Sequence, residues 1–146
     1  MSNHLRLVAA TAAICAALAP AAATAQYGGR TFNTTLTARA EVPGPGDRTA
    51  TGSARVTINP GQRQVCYRLT ERGIARPSAA HIHRGRAGVA GPVVLTLRTP
   101  NRGTSNGCVR VSRGFARDIL NNPRRFYVNI HSPRFPNGAI RGQLSR

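Results

Sequence analysis

The chain has no lysine and no tryptophan, and only four acidic residues among its 146: Glu41, Asp47, Glu71 and Asp118. Each absence excludes something. With so few carboxylates, a general acid/base pair of the kind hydrolases use has almost no material to draw on. Aromatic residues make up 5% of the chain, too few to form a stacking platform for single-stranded nucleic acid. All 21 basic residues are arginine, giving a formal charge of +17. They are spread along the chain and not massed in one stripe, which argues against specific nucleic-acid recognition. The lack of lysine itself reads as a coding bias toward arginine. A chain this cationic attracts polyanions through charge alone, so acidic wall polymers and anionic headgroups are the expected contacts.

Long apolar runs are missing too, except at the start. Arg6 supplies a positive n-region, residues 7–18 an alanine-rich apolar stretch, and Ala23-Thr24-Ala25 a small-x-small cleavage signature. The stretch is too short to span a bilayer. A cleaved secretory signal over 1–25 is expected, then a short N-terminal extension over 26–30 and a single domain over 31–146. The product is expected to be secreted or periplasmic, with no transmembrane segment. Cleavage removes Arg6 and none of the acids, so the charge falls from +17 to +16. It also removes Cys15, leaving Cys66 and Cys108. Two cysteines in an oxidising compartment predict a disulfide, closing a loop of about forty residues and contributing roughly 3–4 kcal/mol in the chain-entropy picture.

What remains reads as short strands separated by Gly, Pro and Asn, the signature of an all-β sandwich or barrel. Ala54, Val56 and Ile58 alternate with polar residues before Asn59-Pro60-Gly61 turns the chain. Val65, Tyr67 and Leu69 share one parity and leave Cys66 on the other face. Val109 and Val111 do the same for Cys108, so the bridge should cross the outer side of a sheet. One short helix is expected near 113–121, capped by Ser112 and ended by Asn122-Pro123, with Phe115 and Ile119 spaced i, i+4.

The chemistry lies in two segments, His81-Ile82-His83 and Tyr127-Val128-Asn129-Ile130-His131. In a strand, residues i and i+2 share a face. Parity therefore assembles one hydrophilic side from His81, His83, Tyr127, Asn129, His131, Arg141 and Gln143. Two readings stay open. The imidazoles form a hydrogen-bonded cluster that pins register, or His81, His83 and His131 hold zinc or copper. No acid falls within these segments to serve as general base, and no Ser/His/Asp or Cys/His arrangement is available. Glu41, at the end of the first strand, is expected either to pair with Arg141 in a partly buried contact or to be a solvated strand end. The glycines of residues 85–91 read as tight turning, not as a phosphate cradle.

Taken together these segments resemble the CHRD domain, a module named after chordin. The matching elements are Ala38 to Pro43 (A-R-A-E-V-P), Gly52, the Cys-Tyr strand Val65 to Leu69, H-I-H at 81–83 running on to G-P-V-V at 91–94, Y-V-N-I-H at 127–131, and P-N-G-A-I-R-G-Q at 136–143. The resemblance spans about Thr31 to Leu144. It departs from the family pattern at Gly44, at Arg84-Gly85 and at Ala139, where many members carry a glutamate. The resemblance implies an immunoglobulin-like, Greek-key antiparallel β-sandwich without established catalysis. Two functions follow as expectations. The first is an exported, non-catalytic module that contacts anionic cell-envelope polymers or an extracellular protein. The alternative is a copper- or zinc-binding protein, with weak redox chemistry by analogy to copper/zinc superoxide dismutases, whose bridging histidine and metal-binding aspartate are missing here.

Overall fold

The computed structural model describes residues 29–145; the expected signal segment 1–25 and most of the extension 26–30 lie outside the described residues. The described residues form an all-β structure with one α-helix. Its strands are β1 (Arg30–Thr37), β2 (Thr51–Asn59), β3 (Gln64–Arg72), β4 (Ala79–Arg84), β5 (Val93–Leu97), β6 (Thr104–Arg110), β7 (Phe126–Ser132) and β8 (Phe135–Gln143).

Alternation in the sequence becomes register in the fold. Ala54, Val56 and Ile58 of β2 lie directly opposite Leu69, Tyr67 and Val65 of β3, and all six are buried. Burying one such aliphatic side chain is worth about 1.5–3 kcal/mol, and a one-residue slip would turn all of them to the opposite face. The turn between these strands is set by Asn59, whose side-chain oxygen accepts from the Gln62 amide at 2.9 Å.

The strand order is β5-β4-β7-β8-β1-β2-β3-β6, one continuous sheet where the family resemblance implies two separate ones. Two four-stranded halves, β6-β3-β2-β1 and β8-β7-β4-β5, join at the single pair Thr37–Arg141. Both halves contribute to one hydrophobic core that includes Phe32, Val56, Ile82, Val128 and Ile140. The outermost strands also approach each other. Just beyond β5, the Arg98 amide donates to the Tyr67 hydroxyl at 2.7 Å and its carbonyl accepts from the Ser105 hydroxyl at 2.6 Å. These bonds bring the edge strands β5 and β6 together and leave the sheet nearly closed.

The expected disulfide is formed. Cys66 of β3 and Cys108 of β6 are direct cross-strand partners, on the face away from the core. The helix α1 (Arg113–Asn121) also forms where expected, and the Ser112 hydroxyl caps it by accepting from the Phe115 amide at 3.1 Å. Ala116 and Ile119 are buried under it. Arg84 at the end of β4 reaches α1 through Asp118 at 2.7 Å, a half-exposed pair worth at most about 1 kcal/mol.

Candidate metal centre

The hydrophilic side assembled by parity exists as one contiguous patch on β4, β7 and β8. His81 pairs with Asn129, His83 with Tyr127 and Ala79 with His131. On the other flank Asn129 pairs with Arg141 and Tyr127 with Gln143. The patch is not a solvated surface, however. His83, Tyr127, Asn129, His131 and Arg141 are all buried, because residues 41–47 and 85–91 fold over it. Strand β7 is consequently covered on both faces.

Three imidazoles meet at one end of this patch. His81 Nδ1 lies 3.1 Å from His131 Nε2, and His83 Nε2 lies 3.4 Å from the same atom. One ring nitrogen from each residue falls within 4.8 Å of the other two. Two irregularities in pairing help bring them there. Register shifts at Ile82/His83 between β4 and β5, and again across Ile130 to Ser132 between β7 and β8. Such bulges re-aim side chains.

Hydrogen bonds fix which nitrogens face inward. His83 Nδ1 is 2.9 Å from the Gly91 carbonyl, and His131 Nδ1 is 3.0 Å from the Pro136 carbonyl. A carbonyl only accepts, so both rings carry their proton on Nδ1 and present a bare Nε2 to the centre. His81 completes the arrangement by donating Nδ1–H to His131 Nε2. Gly91 is needed for this geometry, since a side-chain carbon there would collide with the Arg84 carbonyl.

The electrostatics keep the cluster neutral. Burial, reinforced by the neighbouring His131 and His83, pushes the His81 pKa down to about 4. Burial also lowers His83, against the opposing bond to Gly91, with His131 and Arg141 adding to the depression. His131 is lowered by burial despite its bond to Pro136. Neutral imidazole is the ligating form. Four-coordinate bonds of about 2.0–2.1 Å to one ion place nitrogens roughly 3.3 Å apart, which matches the two short separations. A cleft of about 610 Å³ opens over the cluster, with Val42, Pro43, Val93 and Pro133 on its rim.

A CHRD-domain family model matches residues 32–144. The chain belongs to the CHRD-domain family. No curated protein and no solved structure gives a match. A CHRD domain is an extracellular-type module, and the Cys66–Cys108 bridge suits an oxidising compartment. Among the described residues no helix is long and apolar enough to cross a membrane.

The closing motif of this CHRD domain supports the centre from behind. Arg141 donates through Nη1 to the Val89 carbonyl and through Nη2 to the Arg86 carbonyl, both at 2.9 Å. Gln143 Nε2 donates to the Gly85 carbonyl at 2.8 Å. The Gly91 amide donates to the Tyr127 hydroxyl at 3.0 Å. Residues 85–91 are thus pinned, and with them the carbonyl that sets the His83 tautomer. Tyr127 stacks on His83 with centroids 4.8 Å apart and carries the Arg141 guanidinium 3.4 Å from its ring centre.

Glu41 departs from both expectations. It is buried, not solvated, and among the described residues it forms no ion pair with Arg141, whose donors are committed to the loop carbonyls. Its Oε2 accepts from Asn129 Nδ2 at 3.3 Å, while Glu41 Oε1 and Asn129 Oδ1 are buried without partners. Burial raises the Glu41 pKa to about 7, outweighing the attraction of Arg141 and the Asn129 bond. Gly138, at φ 140°, leaves the room this carboxyl occupies, since a side-chain carbon there would run into Glu41 and Asn129. Glu41 is not part of the histidine cluster.

Sequence reasoning missed the Gly91 and Pro136 carbonyls. Backbone atoms carry no residue-type signal, and the glycine at 91 was the one available hint.

Proposed function

We propose that this CHRD domain is an exported, non-catalytic module that binds one zinc or copper ion through His83 Nε2, His131 Nε2 and, with its proton shifted to Nε2, His81 Nδ1. The observation that carries the reading is the pair of ring-to-carbonyl bonds at Gly91 and Pro136. Metal-ligating histidines characteristically donate their second nitrogen in this way. A cluster serving only to pin register would gain nothing from turning a bare His83 Nε2 toward His131 Nε2, which offers it no proton. Imidazole ligands without carboxylate or thiolate suit copper and zinc, with copper the tighter on the general affinity order. When bound, the ion would supply a Lewis-acidic or, for copper, a one-electron centre open to the cleft. Among the described residues no carboxylate joins the cluster as a general base, which is why the reading is binding and not hydrolysis. The test is metal titration of the wild type against His83→Ala and His131→Ala. Unchanged affinity in both variants would sink the reading.

A second reading is favoured by the charge. Among the described residues one ion pair is formed, Arg84–Asp118, so most arginines face solvent without an acidic partner. Salt-sensitive adhesion to anionic cell-envelope polymers follows, since attraction between exposed charges is screened. Binding that is unchanged at high salt would contradict it. The immunoglobulin-like Greek-key sandwich belongs with these readings as the proposed finer description of the fold. Two four-stranded halves meeting at one residue pair over a common core support it.

A further inference from the structure

The half of the sheet remote from the histidines presents an outer face of unusual make-up. Residues directly opposite across neighbouring strands share a side, and the core takes Phe32, Ala54, Val56, Val65 and Leu69. The outward row across β1, β2, β3 and β6 is then Asn33, Arg55, Arg68 and Asn106. The next row along the strands is Thr35, Ser53, Thr70 and Thr104.

Arg55 and Arg68 are direct cross-strand partners, a like-charge arrangement that costs stability. Both are exposed, and neither forms an ion pair or side-chain hydrogen bond among the described residues. No outward residue of these four strands is acidic. The surrounding hydroxyls are already ordered, with Ser53 bonded to Thr70 and Thr31 to Thr57, each at 2.8 Å. Shallow recesses of about 290 and 410 Å³ lie along the arginine pair, the first bordered by Thr35 and Thr70, the second by Thr57 and Cys66.

We infer that this face is a binding site for a carboxylate-bearing acidic glycan, with Arg55 and Arg68 as its anion-recognising pair. The inference rests on the second reading above and gives it a location. Guanidinium groups fork onto carboxylates, and flanking Thr, Ser and Asn side chains offer hydrogen bonds to sugar hydroxyls. Other polyanions fit less well. The outward rows contain no aromatic side chain for base stacking. Among the described residues the exposed large hydrophobics are Val89, in the loop between β4 and β5, and Val93 of β5; both belong to the other half of the fold, where they cannot help this face enter a membrane.

The test compares binding of purified protein to polygalacturonate at about 0.15 M salt for three forms. These are the wild type, R55T/R68T, and R113A/R117A, which removes the same charge from the exposed face of α1. Threonine suits an exposed strand position, and the single variants R55T and R68T provide a second arm should the double variant unfold. The expected result is a loss of about tenfold or more in R55T/R68T, with a far smaller change in R113A/R117A. Equal losses in the two double variants would overturn the assigned face while leaving general charge attraction in place. Tighter wild-type binding to duplex DNA or to phosphatidylglycerol vesicles would overturn the choice of ligand. Absence of binding to every polyanion would overturn this inference and the reading beneath it together.

Discussion

His131 donates its Nδ1 proton to the Pro136 carbonyl at 3.0 Å, and so turns Nε2 toward both His81 and His83. The acceptor lies five residues further along the chain, beyond the turn into β8. One hairpin therefore supplies both the ligand and the bond that orients it. The equivalent bond at His83 comes from a separate loop, which makes that loop part of the centre.

Arg141 is therefore expected to affect metal binding without touching the ion. Arg141→Met removes the donors to the Val89 and Arg86 carbonyls and frees the segment that carries Gly91. Metal affinity should fall about 10–100-fold, the usual cost of losing an outer-shell partner. Stability should fall by about 3 kcal/mol as buried carbonyls lose their donors. Arg141→Lys, with a single point charge in place of a fork, should recover only part of either. Calorimetric metal titration and thermal melts read both.

Metal affinity should hold as the pH falls to the ordinary histidine value of 6.5 and be lost as it approaches about 4. All three imidazoles are depressed by burial, His81 to about 4, so protons compete late. Titrations at stepped pH check this. A midpoint at 6.5 or above would show imidazoles that are not desolvated.

Glu41 gives the metal-free protein a pH dependence of opposite sign to that of the histidines. Its folded pKa is raised from 4.5 to about 7, so the stability it contributes is fully present below 4.5 and is lost as pH rises through 7. His81 has its folded pKa lowered from 6.5 to about 4; its contribution is present above 6.5 and lost as pH falls through 4. Glu41→Gln should remove the first slope only. The variant should be more stable than wild type at pH 8, by about 3 kcal/mol at most, and should show no such gain at pH 4.5. Melting curves at the two pH values decide the matter.

The sequence carried the face but not the roof. Period-two alternation in β4, β7 and β8 places His81, His83, Asn129, His131 and Arg141 on one side from residue types alone, and the paired register agrees. The same alternation placed Cys66 and Cys108 on the outer side. Burial of that polar face could not be read, because it depends on residues 41–47 and 85–91 folding back, and loops have no periodicity to betray their destination. Glu41 is the instructive case. Scarcity of acids suggested attraction to Arg141, but three backbone carbonyls near the loop needed donors, and Arg141 and Gln143 were the side chains placed to satisfy them.

The disulfide and the metal centre should be independent. Cys66 and Cys108 sit on β3 and β6, in the half of the sheet away from the imidazoles. Replacing both by alanine should cost about 2–5 kcal/mol and leave metal affinity within experimental error. A large affinity loss would mean that the two halves are coupled through the core.

The central claim is that three imidazoles, two of them with tautomers preset by backbone carbonyls, form a working ligand set. Copper and zinc titrations of the purified protein, followed through its histidine ring NMR signals, test it most directly. The account predicts saturation at one ion per chain, with the rings of His81, His83 and His131 all perturbed and the Nδ1–H bonds of His83 to Gly91 and of His131 to Pro136 preserved. Titration without saturation, or saturation that leaves those three rings unmoved, would contradict it.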